Sequence, residues 1–215
     1  MILAAAVCPH PPLLVPQIAP GTDAELVELR TAADAAVQTL IAARPTRIVV
    51  IGPGDPSDDA DESAGGALAG YGVDVTAGGE TRILPLSLTI GAWLLDRAGW
   101  TGPRTYSTGS PDVDAGMAVL VMADGATTRS IQAPGFLDER AEPYDASIAA
   151  ALASGDAAAL AQLDDDLGAA LGATGIGALR TLGDIAKGAD VTARLRYDGA
   201  PFGVGYFVAD WTFPT

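Results

Sequence analysis

Apolar residues along this chain follow two rhythms, short unbroken runs and helical repeats, and the alternation between them predicts the order of elements. Met1 to Val7 is an apolar run halted by Pro9, Pro11 and Pro12, the pattern of a buried strand that passes the chain to a loop spanning Cys8 to Gly21. Thr22 followed by Glu25 forms a capping box, after which Leu26, Leu29, Ala33, Val37, Leu40 and Ile41 recur at helical spacing to about Ala43. Arg47 to Ile51 is β-branched and uninterrupted, as expected of a strand covered on both faces, and stops at Gly52-Pro53-Gly54. Val73 to Thr76 and Ile83 to Leu88 are predicted as short strands, Ile90 to Ala98 as a helix and Ala118 to Met122 as a further buried strand. A long loop from Asp124 to Pro143 follows, then helices over Ser147 to Leu152, Ala157 to Leu163 and Ile176 to Ile185. Val191 to Tyr197 and Phe202 to Trp211 alternate as a terminal strand pair.

Strand, helix, strand at the start implies a parallel unit, so the expected fold class is α/β, with a central parallel or mixed sheet and helices on both faces. No repeat or linker interrupts the pattern, which places residues 1–215 in one domain. That length suffices to bury roughly 70% of the surface of the unfolded chain without a staple.

Composition narrows the partners. Charged residues make up 18% of the chain and the net charge is −15, so its field should repel phosphate backbones and anionic lipid headgroups. Nucleic acid and membrane surfaces are therefore not expected partners. No basic residue precedes the apolar opening run, and prolines follow where a signal peptide would continue, so the expected location is cytoplasmic. Cys8 is the only cysteine, which excludes an intrachain disulfide and any multi-cysteine metal site.

His10 is the only histidine, and this constrains the chemistry most. A mechanism with an imidazole base must use this residue, and one chain cannot assemble a 2-His-1-carboxylate iron site. His10 follows a buried strand, where an α/β protein places ligand-facing groups, although a loop histidine bonded to backbone is the plainer reading. Gly52-Pro53-Gly54 lacks the third glycine and helix start of a phosphate-binding turn, and neither a Walker A sequence nor a Gly-x-Ser-x-Gly elbow occurs. Asp55, Asp58, Asp59, Asp61 and Glu62 supply oxygen ligands for calcium or magnesium, but without EF-hand spacing a solvated acidic loop is favoured. A Cys8–His10 thiolate pair is disfavoured by the prolines flanking His10. Gly203 and Gly205 in an apolar strand point to close backbone packing.

Several segments together resemble the class III extradiol ring-cleavage dioxygenase B-subunit superfamily, above all its Memo-like branch. They are Pro9-His10-Pro11-Pro12-Leu13-Leu14-Val15-Pro16, Ile48 to Gly54, the loop Asp124 to Asp145 with Ala133-Pro134-Gly135, and Tyr197 with Pro201-Phe202-Gly203-Val204-Gly205-Tyr206. Active members hold Fe(II) with two histidines and a glutamate, and a further histidine serves as acid/base. The resemblance implies that His10 stands at the first ligand position, Gly54 at the second histidine, Ala173 at the glutamate and Thr128 at the acid/base histidine. Asp114-Ala115-Gly116 matches an Asp-His-Gly segment, so Ala115 marks another lost histidine. The binding cleft implied is His10, Gly54, Asp124, Thr128 and Ala173, with no metal or other cofactor expected in place of the relatives' Fe(II). The function that follows is a non-catalytic or repurposed member that binds a small molecule or protein partner, with homo-oligomers common in the superfamily. The alternatives are a ring-cleavage oxidoreductase whose site is completed by another chain, or another metal-dependent enzyme around His10.

Overall fold

The computed structural model describes residues 1–21, 23–55 and 59–214. The capping box rests on Thr22 and the Glu25 side chain, which lie outside the described residues, as does Asp58 of the acidic loop.

Strands β1 (Ala4–Cys8), β2 (Ile48–Ile51), β6 (Arg104–Ser107) and β7 (Ala118–Met122) run parallel, and β8 (Thr192–Gly199) and β9 (Tyr206–Thr212) join them antiparallel. The six-stranded order is β6-β2-β7-β1-β9-β8, so β1 and β2 are near neighbours separated only by β7. Alternation along these strands builds two cores. Ala5, Val7, Val49, Ile51, Val119 and Val121 point to the face covered by α3 (Ala141–Ser154), α4 (Ala157–Ala161) and α6 (Ile176–Ile185). Ala4, Ala6, Cys8, Ile48, Val50 and Leu120 point to the face covered by α1 (Asp23–Ala42) and α2 (Leu86–Arg97). Burial on both faces explains why β1, β2 and β7 are unbroken apolar runs. Helix α1 places Leu26, Leu29, Ala33, Val37 and Leu40 in the core, one stripe of its surface.

Other expectations needed correction. Ile83 to Leu88 is not a strand: Pro85 caps the start of α2, whose first turn already includes Leu86 and Ser87. Of Val73 to Thr76, only Thr76 enters a strand, β4 (Thr76–Gly78), which pairs with β3 (Ala64–Ala67) in a second, three-stranded sheet completed by β5 (Thr81–Arg82). Strand β3 reads AGGA and has no strand-forming signal of its own. A Cβ on Gly66 would lie 1.9 Å from Thr89 Oγ1, so the small residues exist to let β3 lie against α2. Helix α5 (Asp165–Ala170) and strand β6 also escape the sequence pattern, β6 because Arg104 and Thr105 break its apolar run. Among the described residues, no helix is long and apolar enough to cross a membrane.

The loop after β7 is fastened by a buried carboxylate. Asp145 on α3 is 0% exposed, accepts the Ala126 N–H at 2.9 Å and pairs with Arg129 Nη1 at 2.8 Å. A Cβ on Gly205 would come 2.1 Å from Asp145 Oδ2, which accounts for that glycine by packing.

Candidate functional site

The four parallel strands end at one edge of the sheet, and each delivers a loop there: residues 9–12 after β1, 52–55 after β2, 108–110 after β6 and 124–128 after β7. That edge is where ligands bind in open α/β sheets. It carries a recess of about 370 Å³ lined by His10, Pro53, Gly54, Asp55, Ser87 and Thr174. Beside it lies a second recess of about 290 Å³ that shares Pro53 and Gly54 and is bordered by Thr108, Ser110 and the first turn of α6.

His10 is held on both sides. Its backbone N–H donates to Asp124 Oδ1 at 2.8 Å, its ring Nδ1 lies 3.5 Å from Asp124 Oδ2, and its Nε2 lies 3.4 Å from Thr174 Oγ1. Asp124 is fixed through its own backbone, since its N–H donates to the Thr174 carbonyl at 2.8 Å. Burial raises the Asp124 carboxyl above the usual carboxylate range, and the His10 imidazole and backbone N–H draw it partly back. The nearby Tyr206 phenol is raised as well, by burial first and then by the Asp124 charge. The imidazole therefore sits 8% exposed between a carboxylate and a hydroxyl, with one nitrogen toward each.

The positions named from sequence are only partly brought together. His10 and Gly54 share the recess, with Asp124 behind the imidazole. Ala173 does not face His10: it is 9% exposed and packs with the core beneath α3 and α6, whereas its neighbour Thr174 turns outward to the imidazole. Thr174 rather than Ala173 faces the imidazole because Thr174 pairs with Asp124 in a short antiparallel bridge and adjacent residues on extended backbone face opposite ways. Thr128 is buried, donates its hydroxyl to the Leu171 carbonyl at 3.3 Å and does not line the recess. Ala115 lies in the turn before β7, at the opposite edge of the sheet, about 17 Å away by the rise of a five-residue strand. Cys8 points into the core under α1, and burial pushes its thiol far up, so no thiolate partners His10. Sequence reasoning missed Thr174 and Ser87, although Thr174-Gly175 directly before an amphipathic helix was a usable signal.

A facial iron triad does not fit these donors. Gly54 has no ligand atom, Ala173 is turned into the core, and among the described residues no three His, Cys, Asp or Glu side chains cluster as metal ligands.

The class defined by these features is an α/β protein with a mixed six-stranded sheet and its recess at the carboxyl ends of the parallel strands. No protein-family model matches the chain, and no curated protein matches it significantly. Among solved structures it is similar to an uncharacterized protein from Escherichia coli K12, with 14% sequence identity, a TM-score of 0.51, and coverage of 98% of this chain and 99% of that one. At that identity the likeness shows the fold alone, and it shows it from end to end.

Proposed function

We propose that the protein is a repurposed relative of the class III extradiol dioxygenases that binds a small molecule in the recess beside His10, without the Fe(II) site of the active members. The observation that carries this reading is the pairing of a kept recess with lost ligands. His10 stands in the recess in its His-Pro context, while the two positions that would complete an iron site hold glycine and a core alanine, and the acid/base position holds a carbonyl-bonded threonine. The lining offers an imidazole, the Ser87 and Thr174 side chains and the apolar surfaces of Pro53, Pro85 and Leu86, a mixture suited to a small molecule with a few polar groups.

A single histidine makes the test direct, because its ring resonances report on the recess alone. Titration with a library of small polar and aromatic compounds should move the His10 ring signals for some of them, and Gly54→Leu, which fills the recess, should abolish those shifts. Compounds that bind without moving the His10 signals, or shifts that survive Gly54→Leu, would remove the recess from the reading. Stoichiometric iron together with cleavage of a catechol ring would replace it with an oxidoreductase.

A further inference from the structure

The recess presents a hydroxyl and an imidazole with a carboxylate behind the imidazole, and nothing in the binding reading requires that order. We propose that Thr174, His10 and Asp124 form a relay that makes the Thr174 hydroxyl a nucleophile for acyl transfer from a small ester. The proposal rests on the reading that the recess admits a small molecule.

Three observations converge on it. Asp124 faces His10 Nδ1 at 3.5 Å, and a carboxylate there holds the tautomer that leaves Nε2 free to accept a proton. Thr174 Oγ1 lies 3.4 Å from Nε2, and such separations are commonly long before substrate binds. Thr174 itself is exposed in the recess while the other two members are largely shielded, so the attacking atom is the one that solvent and substrate can reach. The relay spans 164 residues of sequence, from His10 to Thr174, and cannot be a by-product of local turn geometry.

The backbone after Thr174 fits the same chemistry. Gly175 has φ 89°, and a Cβ there would meet the Met122 carbonyl oxygen at 2.6 Å, so only glycine allows the chain to turn from the bridge with Asp124 straight into α6. Among the described residues no side chain caps α6, and none comes within 4 Å of a Cβ placed on Gly177. The first-turn N–H groups of this ten-residue helix thus lie beside Thr174 without a side-chain acceptor, next to the second recess. In this relay they would be the donors to the oxyanion, with the second recess, lined by Gly175 and Gly177, taking the acyl group.

In the reaction, Thr174 Oγ forms a bond to the carbonyl carbon while its proton passes to His10 Nε2. The carbon–oxygen bond to the leaving alcohol breaks, and the alcohol takes that proton. Water then attacks the acyl-threonine, His10 accepts the water proton and returns it to Thr174 Oγ, and a carboxylic acid leaves. No redox partner is needed. Thr174 and His10 are the catalytic residues, and Asp124 is a positioning residue.

The test uses p-nitrophenyl acetate with the full chain. The wild type should release p-nitrophenolate in a burst and, after acid quenching, carry an acetyl group on the peptide containing Thr174. Thr174→Ser should keep the adduct, Thr174→Ala should lose it, and His10→Gln should slow acylation about a hundredfold or more. Asp124→Asn should slow it by about tenfold or more while the fold is retained, a separation that a purely structural role for Asp124 would not produce. Turnover that survives Thr174→Ala, or acetylation confined to Lys187 and the amino terminus, would overturn the proposal. p-Nitrophenyl acetate that shifts the His10 signals without any acylation of Thr174 would also overturn it, and would leave the binding reading standing.

Discussion

Replacing Asp124 by asparagine should make the protein more stable at neutral pH, although it removes the carboxylate beside the His10 ring. Asparagine keeps the shape and an oxygen acceptor for the His10 N–H, now 2.8 Å from Asp124 Oδ1. A bond to a charged acceptor is worth about 1.5–3 kcal/mol and one to a neutral acceptor about 0.5–1.5 kcal/mol, so this contact weakens by roughly 1 kcal/mol. Burial acts the other way and wins, since the Asp124 carboxyl is raised despite the attraction of His10 and its N–H. The net gain should be about 0.5–2 kcal/mol, the usual yield of a single stabilising substitution. The sign is set by linkage: a carboxyl whose folded value lies above its unfolded one costs stability only while ionised. As pH falls through the folded value, the wild type takes up the proton and recovers, and below the unfolded value of about 3.9 the two proteins should converge. The charged and titratable groups facing Asp124 among the described residues are His10 and Tyr206; the Tyr206 phenol, raised by burial and by the Asp124 charge, stays protonated across this pH range in both proteins. Urea denaturation of both proteins across this pH range measures the gap. An asparagine variant less stable at neutral pH, or a gap that widens on acidification, would refute the reasoning.

Gly205→Ala should cost about 3–5 kcal/mol, because its Cβ would displace the Asp145 carboxylate from Arg129 and strand a buried charge; the denaturation midpoint reports it. Gly54→His with Thr174→Glu should bind Fe(II) more tightly than the parent in a metal titration, whereas Gly54→His with Ala173→Glu should lose stability without that gain, since residue 173 points into the core. The obstacle at residue 54 is steric rather than conformational: its φ is not left-handed, but a Cβ meets Pro85 Cγ at 2.7 Å and Thr108 Cγ2 at 2.9 Å. Cys8 should react with a thiol reagent only as fast as the protein unfolds, so that urea below the transition accelerates labelling.

By itself the sequence determined the elements whose signal is local. Strands β1, β2 and β7 are buried on both faces and hence apolar throughout, and α1 and α6 bury one stripe each, so pattern alone locates them. The α/β class, and His10 at a strand end, followed from their order. The remaining elements depend on contacts between distant segments. Strand β3 exists because a helix lies against its glycines, and β6 because β2 supplies its hydrogen bonds; neither carries the pattern of a strand in its own residues. The site was decided in the same way. Asp124 lies 114 residues from His10 and Thr174 lies 164 from it, and which of Ala173 and Thr174 faces the imidazole depends on an antiparallel bridge to Asp124. A one-residue change of register inverts what faces a cleft, and composition and spacing do not encode register between segments so far apart.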